Sequence, residues 1–231
     1  MFPIDLSGKK GVIFGVANDR SIAWGIAQAL GQAGARVALT YQGDRVKDRV
    51  EALAGNLDGA LTLRCDATDD EQISQAFKLL KEEFEDISFL VHSIAFANRE
   101  DLGGEYMKTD REGFTLALDI SAYSLIPVVR YAAPLMNDGG SVIAMTFQAS
   151  ERVFPGYNVM GTAKAALENA VRQLASDVGP QGIRVNAISA GPLDTLSSRA
   201  ISQYRDMKKV AAERSPMKRN ITTDEVAKAA L

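Results

Sequence analysis

The sequence predicts an α/β fold in which a parallel, doubly wound sheet carries helices on both faces. Short apolar or β-branched runs alternate strictly with longer stretches of helical periodicity along the 231 residues. The runs are short and almost continuously apolar, which is typical of strands buried on both faces of a parallel sheet. The sequence contains no repeat, low-complexity segment or linker, so residues 1–231 are predicted to form one domain.

Six strands and five helices are predicted in alternation. The strands are expected over residues 10–14, 36–41, 61–64, 89–92, 141–145 and 184–188. The helices are expected over residues 21–33, 44–56, 69–84, 110–133 and 157–178. Gly34 and Gly179 follow two of these helices and are predicted to stop them, because glycine accepts the left-handed conformation of a helix C-cap.

The last part of the sequence has a different character. Residues 194–217 form a long polar stretch with small residues, which predicts a mobile loop over a site. Thr222 and Thr223 with Glu225 then offer the start of a helix, which would still be running at Leu231.

Composition and charge exclude several classes of protein. The net charge is −3, the pI is about 5.3 and the charges are interspersed, so neither nucleic acid nor a membrane is expected as a partner. With one cysteine, Cys65, and one histidine, His92, no internal disulfide and no metal site are expected. Cys65 is predicted to be a small buried hydrophobe and His92 a hydrogen-bonded core residue. The chain opens without a signal peptide, and no apolar run approaches the roughly 20 residues of a transmembrane helix, so a cytoplasmic protein is expected.

The segment after the first predicted strand has the features of a phosphate-binding turn. Gly15 lets the backbone turn tightly off the strand, and Ser21 is predicted to cap the helix that follows. Pyrophosphate can then rest on the N–H groups and positive dipole end of that helix. Gly25, one turn inside, is expected to allow close packing of the helix against the sheet. The turn lacks the Gly-x-Gly-x-x-Gly fingerprint, so an ordinary strand-to-helix turn explains it equally well.

Side chains after the second and third strands indicate how an adenosine could be bound. Gln42 stands where NAD-binding Rossmann proteins usually place an acid and NADP-binding ones an arginine. As a neutral amide it can hydrogen-bond the ribose or the adenine edge. Arg45 lies one step too far along the chain to be assigned to the 2′-phosphate of NADP, so NADH is favoured over NADPH. Asp66 is placed to accept from the adenine amino group, or it simply precedes and caps the next helix.

Tyr157 and Lys164 form the strongest chemical signal in the sequence. Seven residues are close to two turns of an α-helix, so the two side chains should point the same way, roughly 10 Å apart along the axis. A tyrosine hydroxyl that donates to a carbonyl, with an ammonium nearby, can stabilise a developing oxyanion. The ammonium could also hold the nicotinamide ribose. A half-buried tyrosine and a surface lysine are the alternative, which the position after the fifth strand disfavours.

These motifs resemble the short-chain dehydrogenase/reductase superfamily and, within it, the divergent NADH-dependent enoyl-(acyl-carrier-protein) reductases of bacterial fatty acid synthesis. The resemblance spans nearly the whole chain. The matching segments are Gly15-x5-Ser21-Ile22-Ala23, Thr40-Tyr41-Gln42, Cys65-Asp66, His92-Ser93-Ile94-Ala95-Phe96-Ala97, Tyr157-Asn158-Val159-Met160-x3-Lys164 and residues 184–192, which end in Gly191-Pro192.

Two departures from ordinary superfamily members indicate enoyl rather than ketone reduction. Ordinary members separate tyrosine from lysine by three residues, which would put the tyrosine at Met160, and they use a serine at Phe147. In an enoyl thioester the hydride adds at C3, while charge develops on the more distant C1 carbonyl oxygen. We hypothesise that a tyrosine one turn farther from the lysine reaches that displaced oxygen.

The resemblance implies roles for individual residues. It implies that Tyr157 hydrogen-bonds the thioester carbonyl and that Lys164 binds the nicotinamide ribose. NADH would be lined by Gly15, Ser21, Ile22, Gln42, Asp66, Ala67, Ile94, Lys164, Leu193, Asp194, Thr195 and Leu196. The substrate would contact Ala97, Phe147 and Tyr157, and residues 194–217 would cover the acyl chain.

The same resemblance implies a partner and an assembly, and it leaves alternatives open. The partner would be an acyl carrier protein bearing the enoyl thioester, and the assembly a homotetramer. Asp194 stands where an arginine is common, so its charge is expected to weaken NADH binding somewhat. A further C-terminal strand is expected in the family and is missing from this sequence. A reductase of another enoyl or carbonyl substrate, such as an enoyl-CoA, and a nucleotide-binding protein without turnover are the alternatives.

Overall fold

The structure is a computed structural model that describes residues 4–195, 198, 201 and 204–231. These residues contain one six-stranded sheet in which all neighbouring strands are parallel, in the order β3-β2-β1-β4-β5-β6. The strands are β1 Lys10–Phe14, β2 Arg36–Tyr41, β3 Leu61–Arg64, β4 Phe89–His92, β5 Gly140–Thr146 and β6 Ile183–Ser189. The predicted parallel sheet is confirmed, and β5 and β6 extend one residue beyond each predicted end.

The helices cover both faces of the sheet, as predicted. They are α1 Ile22–Gln32, α2 Asp44–Ala54, α3 Asp70–Phe84, α4 Arg99–Leu102, α5 Arg111–Leu118, α6 Leu125–Ala132, α7 Asn158–Val178, α8 Tyr204–Arg214 and α9 Thr223–Ala230. One apolar core joins the sheet to α3, α6 and α7, with Ile73 and Leu167 fully buried in it. The core on the other face joins the sheet to α1, α2 and α9 around Ile26 and Val50.

Strand order and register place a crevice at one edge of the sheet. Phe14 of β1 pairs with His92 of β4, so the carboxyl ends of these two strands lie level, and β5 runs two residues beyond Ala144, the partner of His92. The chain changes direction of winding between β1 and β4, and ligands of open α/β sheets bind outside the carboxyl ends at such a switch point.

The helix predicted over residues 110–133 is interrupted. α5 ends at Leu118, a π-helical turn covers Asp119–Tyr123, and α6 begins at Leu125. The stretch Arg111–Leu135 is long and apolar enough to cross a membrane, since its most apolar 18 residues have a mean hydropathy of 1.3, although half of those 18 residues are buried inside the fold. The expectation that no run approaches this length was therefore wrong, and packing of α6 on α3 and α7 explains the hydropathy.

Helix ends agree with the sequence prediction only in part. Gly34 adopts the left-handed conformation, with φ 94°, after α1. Gly179 was expected to do the same after α7, but it is right-handed with φ −54°, because a short 3₁₀ turn continues the helix and Gly182 takes the left-handed position. The predicted start of α9 is confirmed, since Thr222 and Glu225 form a capping box.

Residues 194–217 contain more regular structure than the predicted loop. α8 occupies eleven residues of this stretch, beginning at Tyr204. It carries alternating charges and none of its residues is fully buried, so the sequence shows no apolar stripe that would have predicted a helix.

Candidate active site

A cavity of about 300 Å³ lies at the carboxyl ends of the central strands. Its walls come from the turn after β1, the segment after β4, the end of β5, the start of α7 and the segment after β6. Nine of the predicted site residues line it: Gly15, Ser21, Ile22, Ile94, Phe147, Tyr157, Lys164, Leu193 and Thr195. The structure therefore brings the proposed catalytic pair and most of the proposed cofactor residues to one place.

Gly15 makes the turn that the sequence predicts. Its φ is 100°, in the left-handed region, and a Cβ added there would lie 2.1 Å from the carbonyl oxygen of Ser93. Any side chain would therefore drive the turn away from the segment after β4. Gly15 and Ser93 approach closely through their backbones and both line the cavity, so a flat cofactor can lie against them.

Ser21 and Gly25 act differently from the prediction. The Ser21 hydroxyl accepts from the N–H groups of Ala17 and Asn18, both at 3.1 Å, and makes no capping hydrogen bond to α1 among the described residues. It braces the turn instead, which leaves the first amides of α1 available to an anion. A Cβ at Gly25 would lie 2.5 Å from Cγ2 of Thr223, so this glycine allows α1 to pack on α9 and not on the sheet.

Lys164 is a core lysine whose ammonium is held by main-chain oxygens. The residue is only 6% exposed, and its Nζ donates to the Met145 carbonyl at 2.8 Å and lies 3.5 Å from the Ile94 carbonyl. Burial lowers the pKa of Lys164 to about 8, while the nearby Glu168 carboxylate acts in the opposite direction. The alternative of a surface lysine is therefore wrong.

Tyr157 lies at the N-cap of α7, one residue before the helix proper. Its ring stacks on Phe147, with 4.8 Å between centroids, and Phe147 in turn contacts Phe154 at 5.1 Å. Burial raises the pKa of Tyr157, and Tyr204 adds to the effect. The phenol therefore stays protonated at neutral pH and can donate a hydrogen bond to an acceptor in the cavity.

Three further side chains of the cavity were missed by the sequence analysis. Thr146 donates from its hydroxyl to Glu168 at 2.6 Å, Ser198 forms mutual hydrogen bonds with Thr195, and Tyr204 donates to the Leu193 carbonyl at 2.5 Å. The position of Thr146 at the carboxyl end of β5 was an available signal. Tyr204 and Ser198 follow a polar stretch without periodicity, and nothing local marks them.

The predicted adenosine contacts lie together outside this cavity. Gln42 donates from Nε2 to Oδ2 of Asp66 at 3.0 Å, and Oδ1 of Asp66 accepts from the N–H and hydroxyl of Thr68. Asp66 does not cap α3, because Asp69 takes that position and accepts from two amides of the first turn. Ala67 is half-buried beside Asp66. Gln42 and Asp66 are thus prearranged as a polar pair at the ends of β2 and β3.

The remaining predicted site residues lie at the edge of the site. Ala97 packs near Tyr157 against the small apolar cluster that contains Met160. Asp194 forms an ion pair with Lys208 of α8 at 2.5 Å. Leu196 lies outside the described residues.

Two core residues are buried as the sequence predicts, but only one ring nitrogen of His92 is hydrogen-bonded. His92 is fully buried, its Nε2 lies 2.8 Å from the Ser124 hydroxyl, and burial lowers its pKa to about 3, so it is neutral. Its Nδ1 has no hydrogen-bond partner among the described residues. Cys65 is buried, and burial raises the pKa of its thiol to about 12, so it is not a nucleophile.

The arrangement fits a nicotinamide dinucleotide. The glycine turn and the free amides of α1 suit a pyrophosphate, the buried ammonium of Lys164 suits ribose hydroxyls, and the polar pair suits an adenosine. These features follow one another along the carboxyl edge of the sheet, in the order in which a dinucleotide would present its parts.

Comparisons with known proteins agree with this geometry. Residues 15–231 match the family described as Enoyl-(Acyl carrier protein) reductase. The chain is 50% identical to an enoyl-(acyl-carrier-protein) reductase (NADH) of Rhizobium meliloti over 98% of this chain and 83% of that protein. It is 49% identical to the enoyl-(acyl-carrier-protein) reductase (NADH) of Bacillus subtilis, over 96% of this chain and 86% of the other.

Solved structures show the same similarity. The Bacillus cereus enoyl-acyl carrier protein reductase, crystallised with NADP+ and an indole naphthyridinone, superposes with a TM-score of 0.95 at 48% identity, over 97% of this chain and 88% of that one. The reductase of Anaplasma phagocytophilum in complex with NAD gives a TM-score of 0.94 at 47% identity, over 97% and 86% of the two chains.

Proposed function

The chain belongs to the enoyl-(acyl carrier protein) reductase family, and from that premise we propose that Tyr157 and Lys164 divide the work of NADH-dependent enoyl reduction. The reaction saturates the double bond of a trans-2-enoyl thioester during fatty acid elongation. When bound, NADH supplies the hydride that adds to C3 of the thioester, and a proton added at C2 completes the saturation. The observation that carries the division of roles is that a neutral phenol and a buried ammonium line the same cavity.

Tyr157 is the residue that acts on the substrate. Its hydroxyl donates a hydrogen bond to the thioester carbonyl oxygen, where negative charge develops as the hydride arrives. Stacking on Phe147 holds the ring of Tyr157 in place. Because the pKa of Tyr157 is raised by burial, the phenol stabilises this charge as a hydrogen-bond donor and does not ionise in the resting site.

Lys164 is the residue that places the cofactor. Two of its three N–H groups are directed at the carbonyls of Met145 and Ile94, so the third can reach the nicotinamide ribose. The Met145 carbonyl belongs to β5 and the Ile94 carbonyl to the segment after β4, and together they fix the ammonium relative to the sheet. Ile94, Leu193 and Thr195 complete the nicotinamide side, and the turn at Gly15 with Ser21 and Ile22 receives the pyrophosphate.

The adenosine and the acyl chain lie at opposite ends of the site. We assign the adenosine to Gln42, Asp66 and Ala67, whose neutral and acidic side chains suit an unphosphorylated ribose. Phe147 and Ala97 contact the acyl thioester, and residues 194–217, including α8, cover it.

The wider setting follows from family membership. The thioester is carried by acyl carrier protein, whereas a CoA thioester is the alternative that a direct comparison of the two substrates would separate. We propose that the chain forms one dinucleotide-binding domain, that it works in the cytoplasm and that it assembles as a homotetramer. Light scattering of the purified protein would test the homotetramer.

The decisive experiment follows NADH oxidation at 340 nm with a trans-2-enoyl thioester and a 3-ketoacyl thioester offered separately. Consumption with the enoyl substrate alone is expected. Consumption with the ketoacyl substrate alone would contradict the interpretation of the tyrosine-lysine spacing. NADH binding without consumption of either substrate would support the alternative of a nucleotide-binding protein without turnover.

A further inference from the structure

We propose that Ser121 and Ser124 are positioning residues, which fix the segment after β4 and thereby the Ile94 carbonyl that receives the Lys164 ammonium. The inference rests on the proposed role of Lys164 in binding NADH. Neither serine lines the cavity, and both lie at the π-helical turn Asp119–Tyr123 or next to it. Their effect on the reaction would therefore be exerted entirely through the segment 92–96.

Ser121 holds the far end of that segment with both of its hydrogen-bonding functions. It is fully buried, and its hydroxyl donates to the carbonyl of Phe96 and accepts from the N–H of Phe96, each at 2.9 Å. The Phe96 side chain is 49% exposed, so packing of the ring cannot fix this residue. One hydroxyl thus satisfies both backbone groups of a residue that the core does not hold.

Ser124 holds the near end through His92. Its hydroxyl donates to the Ile120 carbonyl at 2.7 Å, so it must accept from Nε2 of His92, which lies 2.8 Å away. Both residues are fully buried, and His92 is neutral. This bond fixes the orientation of the imidazole at the last residue of β4, where the segment begins.

The π-helical turn is the element that presents both serines to the segment. A π-turn adds one residue to the helical ladder and shifts the side chains that follow it, and such turns often occur at functional sites. Here the turn packs on α7, the helix that carries Lys164. The serines are therefore fixed to the same helix as the lysine whose acceptor they position.

The segment is confined on its opposite side as well. The carbonyl oxygen of Ser93 lies so close to Gly15 that a Cβ there would come within 2.1 Å of it. Ile94 stands between this contact and the bond at Phe96. Loss of the Ser121 hydroxyl would free the segment on one side only, which should move the Ile94 carbonyl away from Lys164.

The charge on Lys164 makes such a movement measurable. The groups facing its ammonium are the Glu168 carboxylate on its own helix, which is hydrogen-bonded to Thr146, the neutral His92 of β4 and the protonated Tyr157. Carbonyl oxygens favour the charged form of an ammonium, so withdrawal of the Ile94 carbonyl should make the ammonium release its proton at lower pH.

The test is a fluorescence titration of NADH binding between pH 6.5 and 9.5 with the intact chain. Ser121→Ala should raise the Kd for NADH by about fivefold at neutral pH. It should also shift the alkaline loss of affinity downward by about half a pH unit. Val128→Ala is the matched control, because it opens a cavity in the core on α6 and costs stability, while a valine side chain makes none of the hydrogen bonds to residues 92–96. It should leave both the Kd and the pH profile unchanged.

Two further variants separate the possible failures. Lys164→Met should abolish the alkaline transition, and if the transition persists in that variant, the assigned role of Lys164 fails and this inference with it. If Lys164→Met removes the transition but Ser121→Ala behaves like Val128→Ala, the positioning role alone is overturned. Should Ser121→Ala not fold, Ser121→Cys and Ser124→Ala are expected to shift the profile in the same direction by a smaller amount, and unshifted profiles in both would overturn the proposal.

Discussion

Two walls of the same cavity are built on different physical principles. The wall formed by β5 and α7 holds Lys164, which is 6% exposed, through main-chain carbonyls. The wall formed by the segment after β6 and by α8 is held at its rim by the ion pair between Asp194 and Lys208, whose side chains are 76% and 23% exposed. Water and salt screen the second wall and not the first.

The comparison predicts that the first wall governs the chemistry and that the second tunes NADH binding. A polar group lost from a buried wall leaves its partners unpaired, which costs far more than the loss of an exposed ion pair. Effects of mutation should therefore differ by one or two orders of magnitude between the walls, and they should respond differently to salt.

The largest expected effect is that of Tyr157→Phe. The change removes the only hydroxyl assigned to the thioester carbonyl and keeps the ring that stacks on Phe147. We expect kcat with an enoyl thioester to fall by roughly 10²–10³-fold, because loss of one oxyanion donor typically has that effect. The Kd for NADH should change by less than about twofold, since a hydroxyl that acts on the substrate contributes little to cofactor binding.

A second tyrosine provides the control for this change. Tyr106 lies outside α7 and is 48% exposed, and its hydroxyl bonds to Thr162 on α7, so Tyr106→Phe removes a tyrosine hydroxyl that contacts the same helix. It should leave kcat nearly unaltered. Equal losses from the two variants would show that Tyr157 acts through the stability of α7 and not on the substrate.

The next effect is that of Lys164→Met on NADH binding. We expect the Kd to rise by about 10–100-fold at pH 7, because the proposed role of the ammonium is to donate to the ribose from a buried position. Burial lowers the pKa of Lys164 to about 8, so the wild-type affinity should fall as pH rises through 8. The variant has nothing to titrate there, and its affinity should be flat between pH 7 and 9.5 in a fluorescence titration.

The same lysine should leave a signature in stability. Its pKa is about 8 in the folded chain, whereas a lysine exposed to water has a pKa of 10.5, so between these limits the unfolded chain binds more protons than the folded chain. The unfolding free energy of the wild type should therefore rise relative to Lys164→Met between pH 8 and 10.5. The slope is at most about 1.4 kcal/mol per pH unit. A constant difference across this range in urea unfolding would contradict the buried, proton-releasing lysine.

The sequence predicted the elements that depend on local pattern. The first four strands have their predicted bounds because each apolar run ends at turn residues, and the roles proposed for Tyr157 and Lys164 followed from their spacing and their place after β5. α8 was missed because its residues lie on the surface and show no apolar periodicity. A charged surface helix and a charged surface loop have similar compositions, so composition alone could not separate the two.

The contacts that the sequence could not predict are those set by distant partners. At the break Asp119–Tyr123, Ser121 and the adjacent Ser124 form hydrogen bonds with a segment about 25 to 32 residues away. Ser21 resembles a helix cap in sequence, but the close turn at Gly15 brings two amides nearer to its hydroxyl than those of α1. The local preference for a continuous helix or a helix cap is overridden where hydrogen-bond partners from elsewhere in the chain lie closer than the local ones.

The smallest expected effects concern Asp194 and Lys208, and they test the comparison most sharply. Asp194 lies between two cavity residues, Leu193 and Thr195, so its carboxylate should repel the cofactor phosphates unless Lys208 neutralises it. Lys208→Met should raise the Kd for NADH about two- to threefold at low salt, and Asp194→Asn should lower it about twofold. In the double variant the two effects should not add, because Lys208 acts mainly by neutralising Asp194, and the Kd should stay close to that of Asp194→Asn alone. At about 0.5 M salt all of these differences should shrink toward zero, whereas the effect of Lys164→Met should persist. Additive effects that are insensitive to salt would show that the rim is as buried and as specific as the wall formed by β5 and α7.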